Sequence, residues 1–67
     1  MALSAWDLQI IAELEQEIQV IEKAISGKTN QEFVRLPYGD ARPMLVGAHR
    51  TNVQIKYREI ESIRQGE

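Results

Sequence analysis

Few residues in this chain are equipped for chemistry, and their spacing limits what they can do. Ser26-Gly27-Lys28-Thr29 contains Gly-Lys-Thr, the end of a phosphate-binding loop in which backbone N–H groups and a lysine hold phosphate oxygens. The first glycine of that motif belongs four intervening residues before Gly27, where the chain carries Glu22. The true loop also follows a strand and opens a helix, whereas this run follows a helical pattern. A helix stop and a solvated turn account for it better.

His49 is the single histidine and cysteine is absent, so the residues for a zinc site are missing. Preceding Arg50 in a glycine-led loop or first helical turn, His49 is expected to be solvent-exposed or capping rather than a general base. Ser4, Ser26 and Ser62 lack the context of an activated nucleophile. Asp7 and Glu13 suit the helix dipole and the surface before they suit acid–base work. The expectation is therefore no catalytic residue, no cofactor, no metal and no small-molecule substrate. A core this small also has little means of enclosing a dry active site.

The 67 residues make one domain, of a size that is only marginally stable alone. Such scaffolds need a staple, and without disulfides or a metal the choices are oligomerisation, docking on a larger partner, or an unusually good two-helix core. The lack of cysteine fits a reducing compartment. Met1 to Trp6 shows no basic segment followed by an apolar run, and no apolar stretch approaches the roughly 20 residues of a membrane span. A soluble, intracellular protein with no membrane contact is expected.

Charge is unevenly placed. Residues 1–26 hold five acids (Asp7, Glu13, Glu15, Glu17, Glu22) against Lys23, a balance of −4. Residues 27–67 hold seven bases against five acids, a balance of +2. The split suits head-to-tail packing between copies of a homo-oligomer, with Glu13 and Glu17 meeting Arg50 and Arg58, although an ordinary mixed-charge surface explains it too.

The elements that position these residues follow from periodicity. Ile11, Leu14, Ile18, Ile21 and Ile25 recur every three or four residues, with Leu8, Ile10, Val20 and Ala24 widening the stripe. Ser4 can cap this helix, and Gly27 suits the left-handed position after its end. The pattern predicts a helix over about 4–26, roughly 34 Å long. Phe33-Val34-Arg35-Leu36 and Met44-Leu45-Val46 are β-prone and flank a turn-rich segment with Pro37 and Pro43, which predicts a short β-hairpin or extended loop over about 30–47. Val53, Tyr57 and Ile60 then recur at helical spacing, with Lys56 able to lay its stem along the apolar face, predicting a helix over about 48–65. Thr51 or Asn52 would cap a shorter version and Gly47 a longer one. The fold class is thus a single small α+β domain: long N-terminal helix, hairpin or extended loop, C-terminal helix. Its expected core is Ile11, Leu14, Ile18, Ile21, Ile25, Val53, Tyr57 and Ile60.

Function then rests with surfaces. Tyr38 at the hairpin tip, with Arg35, Asp40 and Arg42 around it, is the candidate for insertion into a partner, since aromatics concentrate at interface hot spots. Trp6 fits an interface hot spot too, although a lid over the small core is the preferred reading for it. Arg50, Lys56, Arg58 and Arg64 could contact phosphates, making a small dimeric DNA-binding regulator or antitoxin the alternative. Glu59 and Glu61 are interleaved with them, and a pI near 5.3 is low for a nucleic-acid binder, so that role is minor.

A family resemblance adds to this. The helix-ending Ile25-Ser26-Gly27-Lys28, the Tyr38-Gly39-Asp40 turn and the closing stretch Ile55-Lys56-Tyr57-Arg58-Glu59-Ile60-Glu61 resemble the gpW family of tailed-phage head–tail joining proteins, in the same helix–hairpin–helix order. The chain departs from that pattern in a longer first helix, two prolines in the turn and no basic C-terminal tail. The resemblance implies a structural connector that forms a ring on the phage portal after packaging. It would meet the tail-completion proteins and reside in the virion neck, after assembly in the host cytoplasm.

Overall fold

The computed structural model describes residues 3–37 and 42–66. Ser4 opens the first helix, α1 (Ala5–Ile25), by accepting a hydrogen bond from the Asp7 N–H at 3.0 Å, which satisfies one of the free donors of the first turn. After Ile25 the backbone enters a type II turn. Ser26 (φ −59°, ψ 130°) and Gly27 (φ +76°) fill its central positions, and the Lys28 N–H donates to the Ile25 carbonyl at 3.1 Å. Gly27 is required there because a side chain at that φ would be strained.

β1 (Phe33–Val34) and β2 (Met44–Leu45) pair antiparallel, with Phe33 opposite Leu45 and Val34 opposite Met44. The chain then passes without a loop into α2 (Val46–Gln65). The helix begins two residues before the expected start near 48, and none of the three residues considered as its cap takes that place. Leu45 occupies the cap position and makes no side-chain bond, while Gly47, Thr51 and Asn52 lie inside the helix. The first free N–H groups find backbone acceptors instead: Val46 donates to the Glu32 carbonyl at 2.8 Å, and Gly47 to the Asn30 carbonyl at 3.2 Å. The segment before β1 thus caps α2 in place of a side chain.

The two helices run antiparallel. Toward the hairpin, Ile25 and Val53 line one cleft, and further along α1 Glu17 meets Lys56 and Glu15 meets Arg64. The body is therefore a rod of 43 × 18 × 17 Å with the hairpin at one end. Its radius of gyration, 13.6 Å, exceeds the roughly 11 Å expected of a compact chain this long.

Between the helices lie Ile11, Leu14, Ile18, Ile21 and Ile25 from α1, with Val46, Val53 and Ile60 from α2. Leu3, Ile10, Val34, Leu36 and Ile63 pack on the margin of this core. Tyr57 does not belong to it, being 43% exposed. The inward line of α2 is 46, 49, 53, 56, 60 and 63, in steps of three and four. His49 and Lys56 stand on that line, so the apolar pattern is broken and position 57 falls beside it. Leu8 and Trp6, expected to widen the stripe and cover the core, are 54% and 69% exposed, one on each flank of α1.

Truncating a residue of the inter-helix core should dominate stability. Ile21→Ala is expected to lose about 2–5 kcal/mol, against less than about 1 kcal/mol for Tyr57→Ala, read from urea unfolding by circular dichroism. The glycines should part company in the same assay. Gly27→Ala should destabilise by about 1 kcal/mol through its backbone alone, since a Cβ there meets nothing within 4 Å. Gly47→Ala should be neutral or slightly stabilising: its Cβ would make ordinary contact with Asn30 at 3.5 Å, inside a helix that favours alanine.

Candidate functional site

Two of the residues that first suggested chemistry, Lys28 and His49, help to hold the fold together. Lys28 follows a helix and closes a turn, and its carbonyl accepts from the Arg50 guanidinium at 3.0 Å. Arg50 also donates to the Asn30 side-chain oxygen. One arginine on the first turns of α2 thereby pins the whole 28–30 turn.

His49 is buried, at 2% exposure, which corrects the expectation of an exposed or capping residue. It sits on the inward line of α2, and its ring reaches the Val34 carbonyl through Nε2 at 2.9 Å. A carbonyl only accepts, so Nε2 carries the proton in this bond. Nδ1 is buried without a partner among the described residues. The histidine spans the gap between strand and helix: it ties β1 to α2 and leaves no ring nitrogen facing solvent. Among the described residues no group of histidine and acidic side chains is arranged to hold a metal ion, and no helix is long and apolar enough to cross a membrane.

The charged residues divide into those engaged within the chain and those facing outward. Glu17 and Lys56 pair at 3.4 Å across the helices, both partly covered. Glu15 and Arg64 approach to 3.8 Å with more than half of each side chain exposed, a geometry that contributes little. Of the four residues considered for an inter-subunit face, Glu17 bonds Lys56 and Arg50 bonds the 28–30 turn within the molecule. Glu13 and Arg58 are exposed and make no ion pair or hydrogen bond among the described residues. One pair of the charge split, Glu17 with Lys56, thus joins the two helices.

At the hairpin, Arg35 and Arg42 are exposed, and Tyr38 and Asp40 lie outside the described residues. The strands themselves carry a surface that sequence inspection missed. Val34 and Leu36 pack on the core, so alternation turns Phe33 and Arg35 to the opposite face. Phe33 is 68% exposed, and Leu45, directly across from it, is 40% exposed. The signal was the partial alternation of Phe33-Val34-Arg35-Leu36, which has no direction until the core side is known. Between the helices near this end is an open cleft of about 470 Å³, floored by Ile25 and Val53 and rimmed by Glu22, Ser26, Arg50, Thr51 and Gln54.

Comparison with protein-family models, curated proteins and solved structures gave no match. The described residues form a rod with apolar side chains exposed at both ends, Phe33, Met44 and Leu45 at one and Trp6 and Leu8 at the other, and with Ile55 and Tyr57 exposed along α2.

If His49 is the tie that seats the hairpin, His49→Ala should cost about 2–4 kcal/mol, combining a lost ring volume with an orphaned Val34 carbonyl. Arg50→Ala, whose bonds are exposed to water, should cost about 1 kcal/mol. Thermal and urea melts of both variants measure this; equal losses would contradict the ranking.

Proposed function

We propose that this protein is a non-catalytic structural subunit of a tailed-phage head–tail connector, which assembles as a ring on the portal and offers a docking surface to tail-completion proteins. The observation that carries this reading is the order of elements: a long helix closed by Ser26-Gly27-Lys28, a two-stranded hairpin and a closing helix, the layout of the gpW family that the sequence resembles. Two physical features support it. The core of a 67-residue chain is small, so a folded subunit gains stability from any partner that binds the folded form alone. Large apolar side chains also stand exposed at both ends of the rod, and such side chains favour contact with other proteins.

The DNA-reading alternative draws less support. Of its four basic residues on α2, Arg50 is held by the 28–30 turn and Lys56 by Glu17, leaving Arg58 and the loosely paired Arg64. A phosphate-binding face needs several cations free to meet the backbone.

Electron microscopy of purified portal, with and without this protein, tests the connector reading. Added ring density on the tail-facing side is the expected result. Portal particles unchanged at saturating protein would count against it.

A further inference from the structure

We propose that the outward face of the hairpin, Phe33, Leu45 and Arg35, receives the Trp6–Ile10–Glu13 flank of α1 from a second copy of the chain. The inference deepens the ring reading by naming the contact between neighbouring copies. Phe33 and Leu45 are cross-strand partners on one face of the sheet, so their side chains adjoin and form one apolar patch rather than two isolated exposures. Arg35 follows on the same face and makes no ion pair or hydrogen bond among the described residues.

The complementary surface is on α1. Trp6, Ile10 and Glu13 lie at i, i+4 and i+7, one line along the helix. Trp6 is 69% exposed, Ile10 is half-buried at the core margin, and Glu13 is exposed and unengaged. Each surface therefore offers a large aromatic, an aliphatic neighbour and one unspent charge, and the charges are opposite. Trp6 to Glu13 covers about 10 Å of helix. Phe33 to Arg35 covers about 7 Å of extended chain, and the long arginine side chain makes up the difference.

Geometry excludes the contact within one molecule. The hairpin adjoins the C-terminal end of α1, and Trp6 lies near the other end of a rod 43 Å long. Joining one copy's hairpin to the next copy's α1 is a head-to-tail contact, which closes into a ring or extends into a filament according to the rotation per copy. Its area is small, so a free pair binds weakly and gains when a common platform holds many copies side by side.

Complementation tests the proposal without a portal, so its failure is distinct from failure of the connector reading. Trp6→Ser keeps the hairpin face and loses the helix flank; Phe33→Ser does the reverse. Both residues are exposed, and the spectrum of each variant reports that it is folded. When isotope-labelled Trp6→Ser protein is titrated with unlabelled Phe33→Ser protein, amide shifts are expected at Phe33, Arg35 and Leu45. With the labels exchanged, shifts are expected at Trp6, Ile10 and Glu13. Either variant titrated with itself should show none. Arg35→Glu in the first variant should abolish the shifts, and Glu13→Arg in the second should restore them. Absence of shifts in the mixed titration at the highest reachable concentration would overturn the proposal. Shifts in the self-titrations, or confined to other residues, would overturn it as well.

Discussion

The second helix begins with its first N–H groups uncapped by any side chain, and the rest of the structure is arranged around that fact. Val46 is fully buried at the first helical position, so its N–H has no access to water and must be met by protein. The carbonyls of Glu32 and Asn30 meet the Val46 and Gly47 donors. That requirement fixes where the 28–32 segment crosses the end of α2, and so sets the register of the two-residue strands that follow. A two-stranded hairpin is marginal alone. Here it borrows its order from a helix that cannot begin without it.

The polar residues nearest this junction follow from the same constraint. Arg50 reaches back one turn from within α2 to hold Asn30 and the Lys28 carbonyl, and His49 crosses the core margin to the Val34 carbonyl. The His49 ring, the Arg50 guanidinium and the Lys28 carbonyl thereby join three pieces of chain. Opposite charges act similarly at one place, where Glu17 meets Lys56 across the two helices. Side chains left exposed for other molecules include the apolar Phe33, Leu45, Trp6 and Leu8 at the two ends, and among the charged ones Glu13, Arg35 and Arg58.

Much of α1 was legible because its signals agree: a hydroxyl cap at Ser4, an unbroken line from Ile11 to Ile25, and a glycine where φ must be positive. The element order followed from the turn-rich middle. The inward face of α2 was not legible, because two of its six positions are His49 and Lys56. A histidine earns burial only when a backbone carbonyl lies opposite, and that carbonyl is 15 residues away at Val34. Periodicity accordingly settled on Tyr57, which sits one place off the line. The start of α2 was hidden for a related reason: backbone acceptors leave no mark in the sequence, so Gly47, Thr51 and Asn52 drew attention as caps. The outward face of the hairpin needed the side of the core to be known before alternation could be oriented.

The central claim is that backbone carbonyls of the 30–32 segment cap α2 in place of a side chain. Residue-resolved amide hydrogen exchange tests it most directly, since exchange reports how often each N–H loses its acceptor. The Val46 and Gly47 amides should exchange as slowly as those of the core positions Ile21 and Val53, opening only when the whole domain opens. Val46 and Gly47 amides that exchange rapidly while Ile21 and Val53 remain protected would contradict the account.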